Sequence, residues 1–329
     1  MAPDADAGKS SRHRSDPFAP LTSEQLAVGD GHEIYVESVG RAGGIAAVYL
    51  HGGPGSGCQP DHRRLFDPER FHAVLFDQRG AGRSRPKGGR EHNTTPHLIA
   101  DMEKIREKFG FERWIVVGGS WGATLALAYA QAYPARVSGL VLRATFLGTR
   151  AELEGAFYRA LPRFYPGLHE DFLNVLPPNE RAHPIDAYYR RILDSEAAIH
   201  GPAARAWGET ERILSEHTPS RDRLGPAVLN SSGALPSTPF MEAHYFRNDC
   251  FLKPDQLMAE AGRLAGIPGI IVQGRYDLLC PPVTSYALAA KWPRSEVRIV
   301  GGAGHSLYDP GIRDAVMKAI ADLASRIAS

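Results

Sequence analysis

Trp114-Ile-Val-Val-Gly-Gly-Ser120-Trp-Gly-Ala-Thr-Leu-Ala-Leu-Ala-Tyr-Ala-Gln-Ala132 is the segment from which the rest of the chain is read. Its first four residues are a continuous apolar run that stops at a glycine pair, the pattern of a short strand buried on both faces. From Ala123 to Ala132 alanine and leucine dominate, which favours a helix. Between the two, Gly118-Gly-Ser120-Trp-Gly122 must turn the chain sharply. Glycine on either side lets neighbouring backbone approach where a Cβ would obstruct it. Val137 to Leu142 is the next apolar run. Strand, turn, helix, strand is the grammar of an open parallel sheet.

The same grammar extends in both directions. Glu33-Ile-Tyr-Val-Glu37 reads as a short, partly exposed strand. Ala46-Ala-Val-Tyr-Leu50 ends at His51-Gly-Gly-Pro-Gly55, and Ala73-Val-Leu-Phe76 ends at Asp77-Gln-Arg-Gly80. Thr95 to Phe109 reads as a helix, with Thr95 as its cap and Pro96 in its first position. After Phe146 the character changes. From Arg150 to Asp255 aromatics, arginines and prolines are frequent and helical periodicity dominates, apart from a loop expected over Pro219 to Pro239. Strands return at Gly269-Ile-Ile-Val-Gln-Gly274 and Val297-Arg-Ile-Val300, with helices over Pro282 to Lys291 and Ile312 to Ala328. The expected architecture is an α/β class fold, a mostly parallel central sheet flanked by helices. Its core would comprise residues 18–147 and 256–329, split by an inserted, mostly helical cap over 148–255, with a flexible tail over 1–17.

Composition narrows the function. The 329 residues are 43% hydrophobic, enough for a sizeable core. Lys and Arg number 38 against 37 Asp and Glu, a net charge of +1 that argues against a nucleic-acid partner. No apolar run reaches about 18 residues, so no membrane span is expected. The start of the chain lacks the apolar stretch of a secretory signal. Three cysteines, Cys58, Cys250 and Cys280, are too few for a disulfide scaffold and have no zinc-ligand spacing. A cytoplasmic protein without a metal is the expectation, and nothing in the composition sets an oligomeric state.

The chemistry resides in the turns. Gly118-Gly-Ser120-Trp-Gly122 fits G-x-S-x-G, a turn that raises a nucleophilic serine above a sheet at the start of a helix. An oxyanion formed there needs the amide after the nucleophile, Trp121, and a second from an earlier glycine loop. In His51-Gly-Gly-Pro-Gly55 that donor is taken to be Gly53, and no Gly-Lys-Ser/Thr follows to make the loop a phosphate-binding one. An acid and then a histidine must follow in chain order. Asp277 lies just past the strand ending at Gln273, and His305, one of 13 histidines, lies in a glycine-rich loop after the last strand. Asp249 and Asp255 precede that strand and rank lower. Such a triad needs no metal or organic cofactor.

These stretches resemble the proline iminopeptidases, serine peptidases of the α/β-hydrolase fold that remove N-terminal proline. The likeness also covers Asp77-Gln-Arg-Gly-Ala-Gly-Arg-Ser84, Asn93-Thr-Thr95, Val141-Leu-Arg143, His244-Tyr-Phe246, Gly274-Arg-Tyr-Asp-Leu-Leu-Cys-Pro281 and Gly302-Ala-Gly-His-Ser306. The resemblance implies short peptide substrates, a cap whose Glu211 and Glu242 receive the substrate's free amine, and Phe146 in the substrate pocket. Three residues depart from the family pattern: Thr210 stands in place of a tryptophan, and Ala144-Thr145 in place of Gly-Ile or Gly-Leu. By resemblance these positions face the pocket. They motivate an alternative, an amidase, esterase or acyl transferase acting on an amine-bearing small molecule. A binding protein on a retired scaffold is disfavoured, because all three triad residues are present. Asp77-Gln-Arg-Gly80 is expected to fix loop geometry, Cys280 to be a packing residue, and Arg63-Arg64 and Arg190-Arg191 to be solvated charge.

Overall fold

The computed structural model describes residues 16–328, so the tail expected over 1–17 lies outside the described residues except for its last two. One sheet contains β1 (Thr22–Gly29), β2 (His32–Gly40), β3 (Ile45–Leu50), β4 (Phe71–Phe76), β5 (Trp114–Ser120), β6 (Val137–Thr145), β7 (Gly269–Gly274) and β8 (Ser295–Val300). Their order is β1-β2-β4-β3-β5-β6-β7-β8. The first two neighbour pairs are antiparallel and the rest parallel.

Alternation along the central strands explains why both faces are covered. Val48 and Leu50 of β3, Val116 of β5 and Ile271 of β7 enter one apolar cluster. Ala47 and Tyr49, Ile115 and Val117, and Ile270 and Val272 enter the other. The first face carries α1 (Thr95–Lys108) and α2 (Trp121–Ala132). Between β6 and β7 the chain forms α3 (Arg150–Glu154), a π-helical turn (Gly155–Ala160), α4 (Leu161–Phe164), α5 (Pro166–Asn174), α6 (Pro184–Ile192), α7 (Ala197–Ser215), α8 (Pro226–Leu229), α9 (Thr238–Arg247) and α10 (Gln256–Ala259). That insertion continues the first cluster. After α11 (Pro282–Lys291), α12 (Ile312–Ala328) closes the second face. Each fully buried Leu, Ile or Val side chain contributes about 1.5–3 kcal/mol to this arrangement.

The strand order fixes where a site can form. From β3 the chain runs outward to β4, then returns on the other side of β3 as β5. Such a reversal leaves a crevice at the carboxyl ends of the strands, where ligands bind in open α/β sheets. His51 follows β3 there, Ser120 ends β5, and the loops after β7 and β8 carry Asp277 and His305.

Several local expectations are corrected. β1 was not foreseen, and β2 is more buried than its sequence suggests: Ile34, Val36, Glu37 and Val39 are all inside. The buried Glu37 carboxylate takes two 2.8 Å bonds from Arg63, so Arg63 is not solvated charge. Arg191 likewise pairs with Glu180 at 2.9 Å. Helix α1 begins at Thr95 with Thr94 in the cap position, and the Thr95 hydroxyl donates to Cys250 O.

The elbow glycines are held by close backbone approach. A Cβ on Gly118 would lie 2.2 Å from Gly122 O, and one on Gly122 would lie 2.2 Å from Leu50 O. Gly122→Ala therefore lowers stability by about 1–3 kcal/mol. A urea unfolding midpoint equal to that of the unsubstituted protein would contradict this packing.

Candidate active site

Ser120 sits at φ 57°, ψ −126°, between the end of β5 and the first turn of α2. A non-glycine residue held in that region costs about 1–3 kcal/mol, so the surroundings must impose it. The imposed turn places Ser120 in the lining of a cavity of about 730 Å³, which Gly53, His305, Glu211 and Glu242 also line. Trp121, the first residue of α2, is completely buried and contributes its main chain at the helix start. Gly53 has φ +104°, a conformation suited to glycine, and it lines the cavity beside Ser120.

Three histidines line this cavity, His51, His62 and His305. Burial holds the pKa of His51 down and pushes that of His62 down to about 4. His51 is fully engaged. Its Nε2 accepts from Gln78 N at 3.0 Å, so Nδ1 carries the proton and donates to Gly52 O at 2.9 Å. His62 Nδ1 accepts from Gln59 N at 3.0 Å. Of these histidines only His305 meets a carboxylate: its Nδ1 donates to Asp277 Oδ2 at 2.9 Å and lies 3.1 Å from Oδ1. Nε2 is left as the nitrogen available for proton transfer. Asp277 is buried and also accepts from the amides of Leu279 and Cys280 at 3.0 and 2.8 Å and from Gln273 Nε2 at 3.3 Å. Those bonds orient the carboxylate toward the imidazole.

The triad residues are supported by their neighbours, first among them the Asp77-Gln-Arg-Gly80 stretch expected to fix loop geometry. Gln78 donates its side-chain amide to His51 O at 3.0 Å and accepts from Trp121 Nε1 at 2.8 Å. It therefore ties the glycine loop after β3 to the elbow. Asp77 accepts from Cys58 N at 2.7 Å and from Arg83 N at 2.8 Å, so the Asp77-Gln-Arg-Gly80 stretch organises loops and faces no substrate. Arg143 reaches under Gly119 and donates to His305 O. The main-chain amides of His305 and Ser306 donate to Ser215 O at 3.0 and 2.9 Å. Asp309 accepts from Gly304 N at 2.6 Å.

Glu211 on α7 and Glu242 on α9 face each other at the cavity. Glu242 is completely buried. Its Oε2 accepts from Trp207 Nε1 at 2.7 Å, while Oε1 has no donor among the described residues. Burial raises the pKa of Glu211. Burial and the adjacent Glu211 raise that of Glu242 further. Two buried carboxyl groups this close disfavour each other's ionisation. A substrate ammonium would satisfy both the free oxygen and the charge.

Beside Ser120 and Glu211 lies a small, mostly apolar recess walled by Phe146, Leu153, Ala156, Phe157, Phe246 and Leu279, with Glu152 also in its lining. Cys280 lines it too, and burial together with Asp277 raises its thiol pKa well above the usual range, which makes it a packing group. The three departures from the family pattern do not line either space. Ala144 is buried beneath, Thr145 Oγ1 lies 2.9 Å from Ser285 Oγ, and the buried Thr210 hydroxyl has no partner among the described residues. The expectation that they face the substrate is corrected: they lie behind the walls. The segment over 219–239 does reach the main cavity, through Ala227, Val228, Ser231, Pro236, Thr238 and Pro239.

Residues 48–311 match the family model described as alpha/beta hydrolase fold. The chain is 42% identical to a proline iminopeptidase of Xylella fastidiosa over 91% of its own length and 95% of the relative's. It is 41% identical to a proline iminopeptidase of Arabidopsis thaliana, covering 90% of this chain and 78% of that one. The chain belongs to the proline iminopeptidase family. The solved structure of the Mycobacterium smegmatis proline iminopeptidase superposes with a TM-score of 0.58 at 18% identity, covering 93% of this chain and 99% of that one. A 2-hydroxy-6-oxo-6-phenylhexa-2,4-dienoate hydrolase from Rhodococcus superposes at 0.61 with 19% identity, covering 92% and 98%, and shares the fold. Among the described residues no helix is long and apolar enough to cross a membrane.

The carboxyl pair has a thermodynamic consequence. Its raised folded-state pKa values mean that the folded protein holds these protons more tightly than the unfolded chain. The pair therefore reduces stability as pH rises above the ordinary glutamate range. Glu242→Gln removes that penalty while its side-chain oxygen can still accept from Trp207. It raises the melting temperature near neutral pH by ~2 °C, with the gain vanishing toward about pH 4. A melting temperature lowered at neutral pH would show instead that the carboxylate is paired in the resting protein.

Proposed function

We propose that this chain is a serine aminopeptidase that releases N-terminal proline, or a similar small residue, from short peptides. The observation that carries the reading is the presence of two complementary groups in one cavity. Ser120 and the Asp277-bound His305 line it together with the Glu211–Glu242 pair, whose inner oxygen lacks a donor. A free amine held by the carboxylates would place the first carbonyl near Ser120 and the first side chain in the recess with Phe146. The names of the relatives support this substrate.

In the proposed reaction Ser120 Oγ attacks the first peptide carbonyl as its proton passes to His305 Nε2. Asp277 stabilises the resulting imidazolium. The amides of Gly53 and Trp121 receive the oxyanion, a contribution of about 3 kcal/mol per donor. His305 then protonates the leaving amine, and water attack on the acyl-enzyme releases the amino acid. In this reading residues 18–147 with 256–329 form the catalytic core and 148–255 the cap that limits substrate length. A cytoplasmic location is part of the proposal, and the three buried, unbridged cysteines suit it.

The test is a rate comparison on free prolyl, free alanyl and N-blocked prolyl arylamides, with Ser120→Ala as the blank. Free prolyl arylamide is expected to be the best substrate. N-blocking should cost roughly 100-fold or more in kcat/KM, the effect of leaving buried carboxylates without their cation. Ser120→Ala should lose roughly 10⁴-fold or more. Turnover of aryl esters lacking an amine faster than free prolyl arylamide would replace this reading with an esterase one.

A further inference from the structure

Outside the cavity, three side chains that the proposed reaction does not use converge near the N-terminus of α1. Asp30 lies in the turn between β1 and β2, His92 in the loop before α1, and His97 in the first turn of α1. One potential ligand atom from each lies within 4.8 Å of the others. The set therefore comes from three separate segments that only the folded chain brings together.

The surrounding bonds leave ligand atoms free. His97 Nδ1 is 2.7 Å from Thr94 Oγ1, which fixes the ring and presents Nε2, 4.0 Å from Asp30 Oδ2. Asp30 Oδ2 has one 3.3 Å contact with Arg79 Nη1, and Oδ1 has no hydrogen-bond partner among the described residues. Arg79 has a carboxylate of its own, Asp101, bound at 2.7 and 2.8 Å, so it does not require Asp30 as its counter-ion. The His92 ring nitrogens make no hydrogen bond among the described residues, and the ring meets His97 edge-on with centroids 5.8 Å apart. Asp30 and His97 are 43% and 34% exposed, so both can shift by the few tenths of an ångström needed for metal bonds of about 2.0–2.2 Å.

We propose that Asp30, His92 and His97 form a binding site for a divalent transition-metal ion of the imidazole-preferring class, such as Zn²⁺, Co²⁺ or Ni²⁺, with water completing the coordination. Two imidazoles and one carboxylate favour these ions over Mg²⁺ and Ca²⁺, which take oxygen ligands. Thr94 is the outer group that holds a ligating imidazole in place. None of the three ligands lines the catalytic cavity, so the ion serves as a clamp and takes no part in the chemistry. The clamp would act on one loop in particular. His92 precedes Asn93, whose main-chain oxygen lies 2.8 Å from His244 Nε2 and whose Oδ1 accepts from Tyr245 OH at 2.7 Å. His244 and Tyr245 belong to α9, the helix that carries Glu242. An ion at this site would fasten the β1–β2 turn to the loop on which that helix rests.

The experiment is calorimetric titration of chelator-treated full-length protein with Zn²⁺, paired with the visible absorption of the Co²⁺ form and with melting curves. One equivalent should bind, the melting temperature should rise, and Co²⁺ should show bands of a nitrogen-containing site. His92→Ala and His97→Ala should each weaken binding at least ~10-fold, and Thr94→Val about 10-fold, with peptidase rates unchanged in metal-free buffer. Zn²⁺ binding that is equally tight in the histidine variants, or undetectable at ~1 mM ion, overturns the proposal.

Discussion

The side-chain amide of Gln78 is where the loops above the sheet are fastened together. It donates to the carbonyl of His51 and accepts from the indole of Trp121, while its main-chain amide donates to the His51 ring. All three residues are buried. Breaking one of these bonds would strand a polar group away from water, at a cost of about 1–3 kcal/mol. The two proposed oxyanion donors belong to separate loops, one after β3 and one after β5. Through Gln78 their relative position is set before any substrate arrives, which is what electrostatic preorganisation requires.

Helix α7 is the second organising element. It carries Glu211 toward the cavity and ends at Ser215, whose carbonyl receives the amides of His305 and Ser306. The part of the molecule proposed to recognise the amine thus also supports the loop bearing the proposed base. Trp121 meets Tyr245 of α9 edge-on at 4.6 Å, so the elbow touches the helix of Glu242 as well. The carboxyl pair is costly to ionise in the empty protein, because burial and mutual repulsion both oppose its charge. In the proposed function, that cost is what an ammonium group bound between the carboxylates would relieve.

Much of this was legible in the sequence because it is written in short-range pattern. The apolar runs ending in glycine turns located the strands, and G-x-S-x-G located Ser120. Chain order then selected Asp277 and His305, which the structure brings within 2.9 Å of each other. The rest depends on contacts between distant residues, which leave no local period. Gln78 bonds residues 27 positions before and 43 positions after it. Arg63 finds Glu37 across 26 positions, so two residues that look like surface charge form a partly buried pair. β1 is not legible in the sequence because most of its residues are exposed at the sheet edge and carry no apolar alternation, although Gly29-Asp-Gly31 marks the turn after it. Thr210, Ala144 and Thr145 are expected at the pocket by resemblance alone, and no local pattern shows that they lie behind its walls.

The most direct test of this account is a double-mutant cycle on Gln78→Leu and Trp121→Phe, read as single-turnover acylation by free prolyl arylamide. If the amide links the two loops, each substitution slows acylation at similar substrate affinity. The double variant is then no slower than the worse single one, a coupling of about 1–3 kcal/mol. Strictly multiplicative effects, or acylation rates per folded molecule equal to those of the unsubstituted protein, would contradict it.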